Sequence, residues 1–311
     1  MRPESRSAHL FIKMEKGKFK ESFAKFHDKN YKLLLIIPLL FFIFGFGYMG
    51  AFYSQNHDFI NRDISLTGGT SVTINDWTIN SADLKNAISG KLEDVNIREI
   101  SDLVSQKQIA VIVETRSDEK QTRSVLENYL GYELDDKNSS FEFTGSTLSQ
   151  NFYRQLLIAL LIAFVLMAIV VFIQFKNFIP SIAVIFSAFA DIFMTLIVVN
   201  LLGIRVSSAG IVAFLMLIGY SIDTDILLTT RTLKREVGTL NRRILESFKT
   251  GITMTLTSLF AVFAALLIVG SFSSVLSQIL TIMVIGLSFD IFNTWLTNVS
   301  IIKWYISKKK K

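Results

Sequence analysis

The sequence predicts a multi-pass α-helical membrane protein: six transmembrane helices, with one α+β domain of ferredoxin-like order between the first and second. Three observations carry this. Half of the 311 residues are hydrophobic and only 19% are charged. The charges are segregated: residues 250–289 hold 40 positions without Lys, Arg, Asp or Glu, and 156–175 hold another 20. Both runs exceed the roughly 18 apolar residues that mark a span. Residues 54–155 are the only long hydrophilic stretch. An ordinary soluble globule is excluded. Cys is absent, which removes disulfide frameworks and thiolate metal sites, and His9, His27 and His57 have no ligand spacing. No metal or cofactor is expected.

The spans are expected at about 33–53, 156–175, 179–202, 206–230, 251–270 and 277–302. The 40-residue uncharged run is too long for one crossing of about 30 Å at about 1.5 Å per residue. Gly270, Ser271, Phe272, Ser273 and Ser274 supply the turn that divides it.

Basic residues then orient the bundle. Residues 1–32 carry nine Lys or Arg; the 231–250 loop carries Arg231, Lys234, Arg235, Arg242, Arg243 and Lys249; the tail carries Lys303 and Lys308 to Lys311. With six spans all three segments share one side, expected to be the cytoplasm. The expected plan is a basic cytoplasmic segment 1–32, a first span 33–53, an external domain 54–155, five spans within 156–302 and a basic cytoplasmic tail 303–311. The basic leader and the 21-residue apolar run are both too long for a cleaved signal peptide, so the first span is expected to be a retained anchor. The leader reads as a topology determinant, with contact to anionic lipid or ribosomal RNA as the sharper alternative.

The polar insertion reads as strands over 64–74 broken at Gly68 and Gly69, a helix over 81–92, strands over 96–104 and 108–114, a helix over 118–130 capped by Ser117, and a short strand at 141–144. That β-α-β-β-α-β order is the ferredoxin-like pattern. Gly68 and Gly69 fit a bulge or a close backbone approach better than a phosphate cradle. Trp77 and Tyr129 fit core positions at least as well as a peptide-binding strip. No nucleophile–base pair or phosphate loop occurs, so no catalytic residue is expected.

Acids inside spans are costly and point to function. Asp191, Asp223, Asp225 and Asp290 lie there. Asp223 and Asp225 stand about 200° apart on a helix and cannot share a face. Asp225 aligns with Ile218, Ser221 and Thr229, and Asp223 with Gly219 and Thr230. Asp290, Asn293, Thr294, Thr297 and Asn298 make one polar stripe, extended by Gly286, which must face protein or a water-filled path. Interhelical hydrogen bonding explains any one Asp almost as well as ion transit; several in one bundle favour transit. An intramembrane aspartyl protease would need a Gly-x-Gly-Asp motif, which is missing.

Several motifs carry a resemblance. Ser65-Leu66-Thr67-Gly68-Gly69-Thr70 follows the first span. Ile218-Gly219-Tyr220-Ser221-Ile222-Asp223-Thr224-Asp225, closing at Arg231, lies in the fourth. Lys249-Thr250-Gly251-Ile252-Thr253 opens a Thr-rich fifth span, and Asp290-Ile291-Phe292-Asn293-Thr294-Trp295 lies in the sixth. With one anchor, one external domain and five further spans, the chain resembles the SecF family of protein-export subunits, half of a resistance-nodulation-division (RND) plan. Bacterial members commonly read Asn-Asp-Thr where this chain has Asp223-Thr224-Asp225, carry Asp where Ser65 stands and Arg where Lys249 stands. These forms look archaeal.

The resemblance implies a non-enzymatic subunit that pairs with SecD beside a SecY-type translocon, engages exported polypeptide and is surrounded by membrane lipid; nucleic acid is not an expected partner. It implies an ion or proton relay over Asp223, Asp225, Asp191 and Asp290, a polar lining from Asn293, Thr294, Thr297, Arg231 and Lys249, and motif glycines at Gly68, Gly69 and Gly219. An RND-type half-transporter for lipid or hydrophobic solute, and a passive assembly factor of the translocon, are the competing readings.

Overall fold

The computed structural model describes residues 35–102, 105, 107–233, 239–270 and 273–309. The basic leader 1–32, Lys234, Arg235, Ser271, Phe272, Lys310 and Lys311 lie outside the described residues. Among the described residues, six helices are long and apolar enough to cross a membrane. They are α1 (Ile36–Asn56), α5 (Ser146–Phe175), α6 (Phe178–Leu201), α7 (Ser208–Leu233), α8 (Leu240–Val269) and a composite sixth span. The sixth joins α9 (Ser274–Phe292), a π-helical segment Asn293–Asn298, and α10 (Val299–Lys309).

Between the first two spans lies a four-stranded antiparallel sheet. Its elements are a short α2 (Ile64–Thr67), β1 (Gly69–Ile74), α3 (Ser81–Ile88), β2 (Asn96–Ser101), β3 (Gln108–Thr115), α4 (Glu119–Leu130) and β4 (Ser139–Thr144). The strand order β2-β3-β1-β4 is that of a ferredoxin-like fold. Central β1 pairs Val72 with Val113 of β3 and with Phe141 of β4. One face of the sheet buries Val72, Ile74, Val111 and Val113 against Leu84, Ile88 and Leu126 of the two helices. Alternation along β1 supplies that face, as a half-buried strand requires.

Four local expectations change. Ile64–Thr67 is a helical turn and not a strand, because Asp63 caps it by accepting from the Ser65 amide at 2.9 Å. Helix α4 is capped by Asp118, which accepts from the Gln121 amide at 2.8 Å; Ser117 instead donates its amide to Thr115 Oγ1. Trp77 is 75% exposed, and Tyr129 is exposed too. The second span starts at Ser146 and the fifth at Leu240, ten or so residues before their apolar runs. Hydropathy marks where lipid begins, whereas the backbone ladder continues through polar turns.

Gly68 and Gly69 join the sheet to the bundle. Gly68 has φ +84°, and a Cβ there would lie 2.4 Å from Ser146 Cα; Gly69 has φ +141°, and its Cβ would lie 2.2 Å from the Thr115 carbonyl. Only glycine tolerates both the angles and the approach. Further ties are mainly backbone: the Asp63 amide donates to Val206 O at 3.0 Å and the Val206 amide to Asn61 O at 2.7 Å. Arg205, between α6 and α7, pairs with Asp94 at 2.6 Å. The sheet therefore sits at the bundle end that holds the start of α7 and α9.

Helices α6, α7 and α9 form the centre of the bundle, whereas α5 and α8 are mostly exposed around it. Gly286 of α9 lets Leu217 of α7 lie against its backbone: a Cβ would be 2.5 Å from Leu217 Cδ2. Gly251 does the same for Trp295, at 2.7 Å. Lipid tails are as apolar as the side chains, so close packing at small residues supplies the cohesion between spans.

Candidate functional site: a carboxylate cluster in the bundle

Asp191 on α6, Asp225 on α7 and Asp290 on α9 are each 0% exposed. Asp191 lies mid-way along α6, Asp225 in the second half of α7 and Asp290 two residues before the end of α9, and the packing of the three central helices brings them together. The stretches 178–201, 208–230 and 274–302 contain no Lys or Arg. The partners found for these acids are hydroxyls and amides.

Asn293 Nδ2 donates to Asp191 Oδ1 at 2.7 Å, and the Ser221 hydroxyl donates to Asp191 Oδ2. Asn298 Nδ2 donates to Asp225 Oδ1 at 2.7 Å, and Thr294 Oγ1 lies 2.9 Å from the same oxygen. Thr294 Oγ1 is also 3.3 Å from Asp290 Oδ1. On the other side of Asp290, Thr255 Oγ1 of α8 is 3.3 Å from Oδ2 and 3.2 Å from Thr224 Oγ1. Thr297 Oγ1 donates to Asn293 Oδ1 at 3.3 Å. Five hydroxyls and two amides thus link three acids on three helices.

The π-helical segment presents four of these groups. Asn293, Thr294, Thr297 and Asn298 are all at most 1% exposed. A wider turn of this kind commonly marks a functional position in a helix. Trp295 also turns inward, onto Gly251 and edge-to-face with Phe248 at 4.8 Å.

Thr294 has a single hydroxyl proton. It can donate to Asp225 or to Asp290, and the second contact is a hydrogen bond only when that carboxyl holds a proton of its own to give. The hydrogen-bond pattern therefore depends on how many protons the cluster holds. Such a device can take up a proton from one helix and pass it to another.

Other expected residues stand apart. Asp223 is exposed on the outer face of α7, as its 200° offset from Asp225 requires, and Gly219, one turn from Asp223, is exposed too. Arg231 donates to Glu246 O at 3.1 Å and to Thr250 Oγ1 at 2.8 Å, clamping the ends of α7 and α8. Lys249 is exposed. Gly68 and Gly69 belong to the sheet junction. Conversely, the sequence does not single out Thr224 and Thr255 as site residues. Their only signal is position: Thr224 adjoins Asp225, and Thr255 lies in the Thr-rich start of the fifth span.

The fold and cluster define a multi-pass membrane protein whose central spans bury acids between helices. Residues 125–308 match the family described as protein export membrane protein SecD/SecF, C-terminal. The SecF protein of Methanocaldococcus jannaschii is 37% identical over 289 residues, covering 90% of this chain and 97% of that protein. The SecF protein of Pyrococcus furiosus is 33% identical over 292 residues, covering 94% and 96%. The chain belongs to the SecF family of protein-export membrane proteins. The crystal structure of SecDF from Thermus thermophilus, a translocon-associated membrane protein, superposes with a TM-score of 0.71 at 19% identity. That match covers 91% of this chain but only 38% of the larger one, as does the super-membrane-facing form, at TM-score 0.58 with 88% covered. The likeness extends to the fold, and this chain accounts for little more than a third of the longer protein.

Proposed function

We propose that this chain is the SecF-type half of a two-part export machine. It pairs with a SecD-type partner beside a SecY-type channel, and promotes movement of exported polypeptide across the cell membrane. Both termini face the cytoplasm in this reading, because Lys and Arg collect at the bundle end opposite the sheet, and the sheet domain stands outside. Proton flow through Asp191, Asp225 and Asp290 drives the cycle. Asp223, on the outer face of α7, is available to the partner and is not part of the relay.

The observation that carries this is Thr294 Oγ1, placed within reach of Asp225 at 2.9 Å and Asp290 at 3.3 Å. Asp225 also accepts from Asn298 and Asp290 from Thr255, so Thr294 is an additional hydroxyl that bridges two acids on different helices. One proton descending about 100 mV yields about 2.3 kcal/mol. That biases a two-state motion by roughly 50-fold.

The test is export by cells whose chain carries Asp225→Asn, with assembly checked by co-purification of the partner. Loss of export in an assembled complex supports the relay. Normal export by assembled Asp225→Asn, Asp191→Asn and Asp290→Asn complexes would leave only a passive assembly role.

A further inference from the structure

We propose that Leu217, seated against Gly286, is the gate that shuts the carboxylate cluster off from the sheet-side solvent. The inference rests on reading the cluster as an ion path, and it names the residue that controls access from one end.

The two ends of the bundle differ in polarity. At the sheet end, a cavity of about 320 Å³ is lined by Asp63, Ser65, Arg98, Glu114, Ser207 and Gln278. A second, of about 480 Å³, shares Arg98 and Gln278. These side chains make both cavities places for water. Gln278 forms the floor. Its Oε1 accepts from the Ser207 amide at 3.0 Å, and its Nε2 donates to Arg205 O.

Below Gln278 and Thr281, which also lines the larger cavity, the polarity stops. Asp290 lies twelve residues past Gln278 along α9, about 18 Å away. Between them Ile282, Met283 and Leu287 meet Phe214 and Leu217 of α7, each at most 3% exposed. From α6 the nearest hydroxyl is Thr195, and it is engaged by its own helix, donating to Asp191 O at 2.6 Å. A layer this apolar excludes water, and such constrictions gate pores by dewetting.

The tightest point of the layer is Leu217 on Gly286. Glycine places the leucine methyls where a Cβ would be 2.5 and 2.6 Å away. Gly286 is one helical turn from Asp290, so the seal sits about 6 Å above the cluster.

The opposite end is mixed: it holds an apolar cluster of Leu228, Ile244, Trp295, Val299 and Ile302, but also unsatisfied polar atoms. Thr229 Oγ1, Asn298 Oδ1 and Ser300 Oγ are buried and have no hydrogen-bond partner among the described residues. All three lie beyond the acids, towards the end of α7 and α10. Buried polar atoms are satisfied by water when protein does not satisfy them. Access to the cluster is therefore expected from that end and blocked at Leu217.

The chain lacks cysteine, so one introduced thiol is a unique reporter. Ser221→Cys places it beside Asp191. Membrane vesicles of both orientations, carrying the chain with its native partner, are treated with a membrane-impermeant methanethiosulfonate. With Leu217 in place, labelling from the sheet side is at background, while Leu217→Ala raises it at least tenfold; Leu217→Met, of similar volume, stays at background. Labelling from the other side does not depend on residue 217. If the Leu217→Ala chain fails to assemble with its partner, Leu217→Val carries the same expectation in the same direction. Sheet-side labelling that is equal with Leu and the smaller residue, at either level, overturns the gate. Labelling reports water access whether or not export uses the acids. Normal export by the Asp→Asn variants, with labelling still governed by residue 217, would discard the relay and keep the gate.

Discussion

Thr294 places its hydroxyl 2.9 Å from Asp225, across the contact between the fourth and sixth spans. Because the same oxygen is 3.3 Å from Asp290, it touches both acids. Thr294→Val keeps the shape and removes the proton, leaving Asp225 with the amide of Asn298. The lost hydrogen bond costs about 1–3 kcal/mol. Export by the assembled complex is expected to fall about tenfold or more, and Thr294→Ser to restore most of it. Export rates in cells, normalised to the amount of assembled chain, check this.

Asp223 and Asp225 are two residues apart and should behave oppositely. Asp225 is fully buried and Asp223 is exposed. Asp223→Asn is expected to keep export within about twofold of normal, since exposed substitutions away from special features are nearly neutral. Asp225→Asn is expected to lose it. A similar deficit for both would show that the outer face of α7 carries the function.

Gly251 is where α8 meets the sixth span. A methyl there would approach Trp295 to 2.7 Å and Thr224 to 3.1 Å. Overpacking of this kind costs about 1–3 kcal/mol. Gly251→Ala should lower the thermal midpoint of the detergent-solubilised protein. Trp295→Phe in the same chain should recover part of the loss, because the smaller ring vacates the contact. An additive pair of losses would mean that the two residues do not meet.

In the sheet domain, Asp76 accepts from the Thr78 hydroxyl and amide and from the Tyr132 hydroxyl at 2.8 Å. The Thr78 bonds chiefly hold its carboxyl below the usual carboxylate range. Tyr132 is pushed up to about 12, mainly by burial and also by its bond to Asp76. A depressed folded value means that Asp76 stabilises above the ordinary value of about 3.9, and the contribution fades as pH falls through the depressed one. Thermal midpoints measured from about pH 6 down to about pH 2 should converge for wild type and Asp76→Asn at the acid end. They should separate, with wild type higher, above about pH 4.

Much of the architecture is legible in one dimension. Six apolar runs and one polar insertion are statements about transfer from water to lipid, and transfer depends on composition alone. The ferredoxin-like order was readable from strand alternation and the two helical stretches between the strands. The one strand wrongly expected, at Ile64–Thr67, shows the limit: four residues are too few for a period, and the Asp63 cap outweighs β propensity. The positions of Trp77 and Tyr129 were also open, because an aromatic in a polar domain fits a core or a surface equally well.

The site divides the same way. The sequence alone determined that Asp225 and Asp223 face opposite ways and that Asp290, Asn293, Thr294, Thr297 and Asn298 share a face, because helical geometry is local. Which acids meet was decided only by tertiary packing. Asp191 and Asp290 are 99 residues apart in number, and glycines at 286 and 251 set how closely α9 approaches α7 and α8 approaches α7 and the sixth span. Thr255 enters the cluster for that reason, and Arg231 and Lys249 are left at the helix ends. The apolar seal at Leu217 could not be read from the chain, where one leucine in a span looks like any other; it exists because one glycine on a neighbouring helix leaves room for it.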